Sequence, residues 1–155
     1  MKIKEMCSRM LAVVEPHTDL RTAARLMRDH HVGSLIVVEK KDGELRPVGI
    51  ITDRDIVISV VAPEDVQPET LTAGDVMGGD LAFVDEDDGM FEAIEAMSDK
   101  GARRMPVVDK KGRLVGIVTL DDLLRVLASE LSGIAAAVDN AGGREVQERP
   151  AIETG

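Results

Sequence analysis

Apolar and polar positions in this chain pass through one order twice. An extended run, Leu11-Ala12-Val13-Val14, gives way to acid and turn residues and then to a stripe in which Leu20, Ala23, Ala24 and Met27 stand at i, i+3, i+4 and i+7. That spacing predicts an amphipathic helix whose apolar face, Met27 included, looks into a core. Ser34-Leu35-Ile36-Val37-Val38, a polar turn at Gly43 and a second apolar run ending at Thr52 predict a β-hairpin. Seventy positions on, Leu81-Ala82-Phe83-Val84 precedes a stripe of Met90, Ala93, Ile94 and Met97, and Met105-Pro106-Val107-Val108, Gly112 and Thr119 repeat the hairpin. Thr18 or Asp19, and later Asp88, are expected as N-caps. A short lead-in, residues 3 to 7 and again 73 to 77, opens each half. Pro106 lacks an N–H, so it is expected among the first residues of its strand.

Each half closes on an apolar run that leads into more apolar residues through a Thr-x-x-Asp phrase. Gly49-Ile50-Ile51-Thr52-Asp53-Arg54-Asp55-Ile56 returns as Gly116-Ile117-Val118-Thr119-Leu120-Asp121-Asp122-Leu123. The residues after Asp55 are β-branched enough to be strand, but those after Asp122 are good helix formers, and duplicated units share a structure. Each unit therefore reads β-α-β-β-α. The first hairpin carries three additional residues, within 40 to 47, which a loop tolerates best. The expected division is a first unit at 1 to 62, a Pro-containing acidic linker at 63 to 71, and a second unit at 72 to 131. A helical extension towards Val138 follows, with order lost from Asn140, within a tail of 132 to 155.

Thr-x-x-Asp has two readings. As a capping box, the hydroxyl and the acid satisfy orphan N–H groups at a helix start. As a binding phrase, the helix start attracts phosphate while the carboxylate accepts from two ribose hydroxyls. The spacing is compatible with both.

Composition narrows the function classes. The 155 residues, 44% of them hydrophobic, suffice for one domain or two fused half-size units. A formal net charge of −10 opposes the phosphate backbone of nucleic acid and the anionic face of a membrane, so neither is an expected partner. Cys7, the single cysteine, permits no internal disulfide and is read as a small buried hydrophobe; with no signal-peptide or membrane-spanning pattern, a cytoplasmic location is expected. The chain has neither Trp nor Tyr, and no Ser, Cys or His constellation converges by spacing, so no enzymatic activity is expected. Adjacent His30 and His31 diverge on a helix, and Asp85-Glu86-Asp87-Asp88 is explained by a solvated loop leading into a helix, so no metal is assigned.

The doubled Gly-apolar-apolar-Thr-x-x-Asp phrase after a hairpin, with Met105-Pro106-Val107-Val108-Asp109 before its second copy, resembles a pair of CBS domains over about residues 3 to 130. The resemblance implies an α/β (α+β) fold, two tandem β-α-β-β-α units packed about a pseudo-twofold axis with two clefts. It also implies a regulatory module, in the manner of small stand-alone CBS-pair proteins, that binds an adenine nucleotide (AMP, ADP or ATP) or S-adenosylmethionine and requires no cofactor. Carried over by position, Asp55 and Asp122 would hold ribose, and Thr52 and Thr119 would contact phosphate or ribose. Arg103 and Arg104 would supply charge, either arginine in the cleft of its own or of the other half. The first half offers Gly33 and Ser34 at the arginines' positions, with Arg54 as a substitute, whereas Asp121 stands where Arg54 would repeat, so unequal clefts are expected. A homodimer formed through the apolar stretch at 56 to 61 is expected, together with a regulated protein that the sequence does not name. The competing reading is a CBS module with empty clefts that serves only to bind proteins.

Overall fold

The computed structural model describes residues 1–78 and 81–148, with side chains as far as Arg144. The chain divides into two units, Met1–Leu120 and Asp121–Gly155. In the first unit β1 (Val13–Val14), α1 (Leu20–His30), β2 (Ser34–Lys41) and β3 (Glu44–Thr52) are followed by a short α2 (Asp53–Ile56) and, after a connection, by α3 (Ala73–Val76). The pattern then repeats as β4 (Val84–Asp85), α4 (Met90–Lys100), β5 (Arg104–Val108) and β6 (Leu114–Thr119), and α5 spans Leu120–Glu148. Two three-stranded sheets result, ordered β1-β2-β3 and β4-β5-β6, each with a parallel first pair and an antiparallel hairpin.

The duplication reaches details the residue pattern does not show. A bulge interrupts each hairpin at the same place, between Val37 and Val38 and between Val107 and Val108, leaving Val48 and Val115 without a cross-strand partner in the register. Helices α1 and α4 both end on a left-handed residue, His31 at φ 53° and Gly101 at φ 61°. The hairpin turns differ. Asp42 and Gly43, both at positive φ, make a tight two-residue reversal in the first. In the second, Asp109 Oδ1 accepts from the N–H groups of Lys111 and Arg113 and closes a longer loop.

Several local expectations are corrected. Of the two caps expected for α1, Thr18 or Asp19, the structure selects Asp19, its Oδ1 accepting from Thr22 N–H at 2.9 Å, and this bond holds the Asp19 carboxyl below its ordinary range. Asp88 does not cap α4. Its Oδ2 accepts from Asp85 N–H, and Gly89 is the cap, with Glu92 Oε2 reaching back to its N–H at 2.7 Å. In the α1 stripe Leu20, Ala23 and Met27 are buried but Ala24 is exposed, while half-buried Leu26 packs on the core in its place. Pro106 sits at the middle of central strand β5, opposite Ile117 and buried. The equivalent Ile36 N–H donates to Ala12 O, a residue before β1 begins, so proline gives up only this bond at the lip of the parallel pair. After α2 the chain continues through a π-helical stretch, Val57–Val61. Its β-branched side chains crowd an α-turn, and the run takes the wider π turn. Order is not lost at Asn140, since α5 continues through Gly142 and Gly143 to Glu148 among good helix formers; residues 149–155 of the expected tail lie outside the described residues.

The two lead-ins change places. Ile3 and Lys4 donate to the carbonyls of Asp88 and Glu86, and Ser8 and Ile117 exchange a pair of 2.9 Å bonds, so the first lead-in docks on the second half. Ala73 and Gly74 donate to Thr18 O and Pro16 O, each at 2.8 Å, and Ala73, Val76 and Met77 pack into the core of Val14, Leu20, Met27, Leu35, Val37 and Ile51. Glycine makes both dockings possible. A Cβ on Gly49 would lie 2.5 Å from Met77 Sδ, and one on Gly116 would lie 2.8 Å from Cys7 Sγ and 2.9 Å from Ser8 O. Cys7 is accordingly half-buried against this strand. Such a reciprocal exchange is what a twofold relation between the halves requires.

Candidate functional site

A cleft of about 670 Å³ opens in the first unit where the end of the first hairpin meets the start of the second. One wall is Ile50, Thr52, Asp53 and Arg54. The other runs through Lys100, Gly101, Ala102, Arg103 and Arg104, with Gly78, Leu81 and Ala82 completing the lining. Each wall is placed by ordinary backbone logic. At the β3 end, Thr52 Oγ1 accepts from Asp55 N–H at 3.2 Å while Asp55 Oδ2 accepts from Thr52 N–H at 2.8 Å, a reciprocal box that turns strand into helix. This turn projects Asp53 and Arg54 outward. Asp53 N–H donates to Gly33 O, and a Cβ on Gly33 would come within 3.2 Å of Asp53 Oδ2, so the glycine keeps room for the carboxylate. On the opposite wall, left-handed Gly101 ends α4 and redirects the chain into β5, which brings Lys100, Arg103 and Arg104 to the same opening; Arg103 O accepts from Leu120 N–H.

Of the residues singled out by sequence, the structure gathers Thr52, Arg54, Arg103 and Arg104 in this one cleft, with the arginine pair of the second half facing the Thr52 phrase of the first. Asp55 is not part of the lining. One of its oxygens is engaged in the capping box, as the structural reading of Thr-x-x-Asp requires. Thr119 ends β6 opposite Arg104 in the register, and Asp122 stands in the first turn of α5, 3.8 Å from Arg125 and in the other unit; neither lines the cleft.

Sequence reasoning missed Asp53 and Lys100. Their partners in the repeat are Leu120 and His30, so neither belongs to the Thr and Asp pair that the two copies share. Charge was the available signal. Among the described residues the lining carries Arg54, Lys100, Arg103 and Arg104 against the one carboxylate of Asp53, in a chain whose formal net charge is −10. The apolar portion, Ile50, Leu81 and Ala82, offers a surface for a flat uncharged group beside the cationic one. Among the described residues no group of three or more His, Cys, Asp or Glu is placed to hold a metal ion, and no helix is long and apolar enough to cross a membrane.

Doubled three-stranded units with exchanged lead-ins, and a cleft where one hairpin meets the other, define a paired-domain architecture. The sequence matches the CBS domain twice, over residues 3–62 and 73–129, and the chain belongs to that family. An uncharacterized protein of Methanopyrus kandleri, MK0525, is 40% identical over 124 residues, which cover 80% of this chain and 61% of that protein. A CBS domain pair solved with 5′-methylthioadenosine and S-adenosyl-L-methionine superposes with a TM-score of 0.71 at 25% identity, covering 84% of this chain and 98% of that one. The cytosolic domain of the Mg²⁺ channel MgtE, solved with ATP, gives 0.67 at 25% identity over 81% of this chain and 48% of that one.

Proposed function

We propose that this protein is a regulatory sensor module that binds an adenine nucleotide in the cleft between Thr52–Arg54 and Lys100–Arg104 and passes its occupancy to a partner protein. The observation that carries the reading is the excess of cationic side chains in an apolar-floored cleft of an otherwise acidic chain. Guanidinium groups pair with phosphate oxygens in a two-pronged geometry that lysine alone does not offer. Arg103 and Arg104, with Arg54 across the opening, therefore suit the phosphates, and Ile50, Leu81 and Ala82 suit the adenine face. Thr52 contributes a hydroxyl at the junction. Asp55, with one oxygen in the capping box, retains acceptor capacity for a ribose hydroxyl, and cleft-lining Asp53 is a second carboxylate for that task. The same cations select AMP, ADP or ATP over S-adenosylmethionine, whose sulfonium is positive.

The repeat-related positions hold His30, Gly33, Ser34, Leu120 and Asp121, with no arginine or lysine, so a site built from them, with Thr119 and Asp122, would be the weaker. Among the described lining residues there is no Ser, Cys or His, and the role in this reading is regulatory. No cofactor is needed; the nucleotide is the ligand. A soluble cytoplasmic homodimer suits this role. The liganded CBS pairs described above support the reading, while a module with empty clefts remains its competitor.

A thermal-shift series with AMP, ADP, ATP and S-adenosylmethionine tests it. A ligand that binds only the folded state adds RT ln(1 + [L]/Kd), about 2.7 kcal/mol at a hundredfold excess over Kd. A rise with the nucleotides, and a smaller one with S-adenosylmethionine, is expected. No response to any of the four would favour the empty interaction module.

A further inference from the structure

The 29-residue helix α5 is far longer than the closing helix of the first half, and its exposed apolar side chains fall in a pattern. Leu124, Leu127, Leu131, Ile134 and Val138 succeed one another in steps of three, four, three and four, and are between 38% and 64% exposed. On a helix that alternation keeps the side chains on one seam, two per heptad, the spacing by which one helix packs knobs into the holes of another. We propose that this seam pairs with α5 of a second copy of the chain in a two-stranded coiled coil.

The helix itself argues that something covers it. Gly133, Gly142 and Gly143 lie within it, each costing about 1 kcal/mol of helix propensity, and isolated helices are marginal in water unless an apolar face is packed. A second copy is the occupant that fits. A partner with the same heptad spacing presents matching knobs and holes, and the seam's own repeat supplies one. Its flanking positions hold the small, uncharged Ala128, Ala135 and Ala137 with Glu130 as the one acid among them, so two acidic chains meet there with limited like-charge repulsion, while Arg125 and Asp139 stand away from the seam. Five aliphatic side chains at roughly 100 Å² each give about 500 Å² per helix and about 1,000 Å² per pair, the lower bound for a specific interface. None of the seam residues is among those lining the proposed nucleotide cleft, and the proposal does not rest on that reading.

The test uses the full chain. L131E/I134E alters only side chains exposed in the single chain, so its folded core and its nucleotide response should match wild type while its mass by light scattering falls about twofold at equal concentration. In a Cys7→Ser background, Leu131→Cys at the seam should oxidise to a covalent dimer, and exposed Ala136→Cys, turned away from it, should not. An unchanged mass for L131E/I134E, a monomeric wild type, or equal crosslinking at the two positions would overturn the proposal.

Discussion

Replacing Gly116 by alanine adds one methyl group at the point where the first lead-in crosses to the second half. The new Cβ would stand 2.9 Å from the backbone oxygen of Ser8 and 2.8 Å from Cys7 Sγ, distances that real Cβ atoms do not tolerate. Because Ser8 O is main chain, no rotamer change relieves the clash, and the lead-in must withdraw. Two backbone hydrogen bonds are then at risk, Ser8 N–H to Ile117 O and Ile117 N–H to Ser8 O, both 2.9 Å. At about 1 kcal/mol each, with a further fraction for displaced packing, the loss is roughly 2–3 kcal/mol. For a chain of this size that lowers Tm by about 4–12 °C. Gly49→Ala should cost less, about 1–2 kcal/mol, because the nearest atom is the thioether of Met77, which can swing aside, leaving Met77 Cβ at 3.0 Å as the tight contact that remains. Gly133→Ala is the control of opposite sign. Its Cβ meets nothing within 4 Å, and its helix gains up to about 1 kcal/mol. Urea titration of the three variants, read with calorimetry, checks the order. A Gly116→Ala protein within about 0.5 kcal/mol of wild type would refute the exchange of lead-ins.

Other expectations are more local. Asp55→Asn should lose roughly 0.5–1 kcal/mol of stability if the carboxylate only completes its capping box; if it also clamps ribose, calorimetry should show at least a tenfold loss of AMP affinity, and 2′-deoxy-AMP should bind wild type as poorly. Asp87 accepts from Lys4 at 2.9 Å and Lys2 at 3.3 Å, bonds that pull its pKa below the ordinary 3.8. A depressed carboxylate contributes stability that is full above its unfolded pKa and fades as pH falls through the folded value, so the difference between wild type and Asp87→Asn should shrink below about pH 4. Equal stability of the two proteins at pH 6 would remove the ion pair from the account. Exposed Val57 and core-packed Val60 give opposite expectations: Val60→Lys should unfold or strongly destabilise the first half, and Val57→Lys should leave it folded and weaken only an assembly through that face. Circular dichroism with light scattering separates the two.

The repeat made the larger architecture readable. Stripes at Leu20 and Met90, two hairpins and the doubled Thr-x-x-Asp phrase were enough for two β-α-β-β-α units, because helix and strand periodicities are local and each was written twice. What escaped is what depends on contacts distant in sequence. Nothing in residues 3 to 8 or 73 to 77 announces that each lead-in packs on the opposite half; the hint was glycine at positions 49 and 116, whose reason is visible only against Met77 and Ser8 O. Pro106 was misplaced within its strand because the bond it forgoes depends on where β4 begins. In the cleft, Arg54, Arg103 and Arg104 were recognised by charge within or beside the doubled motifs, whereas Lys100 ends the preceding helix and reaches the opening only through the left-handed turn at Gly101, and Asp53 is set there by its backbone bond to Gly33 O. Asp55 shows the converse. Its spacing from Thr52 served two readings, and the backbone geometry puts one of its oxygens into the capping box.

The central claim is that the cationic cleft recognises phosphate attached to adenosine, and paired calorimetric titrations of AMP and adenosine test it most directly. Coulombic attraction among Arg54, Lys100, Arg103, Arg104 and a phosphate is screened by salt, whereas contact with the adenine face is not. Wild type should therefore bind AMP at least tenfold more tightly than adenosine at low ionic strength, a difference of about 1.4 kcal/mol. The gap should narrow on adding salt and should largely close in Arg103→Ala/Arg104→Ala. Equal affinities for AMP and adenosine in wild type at low salt would contradict it.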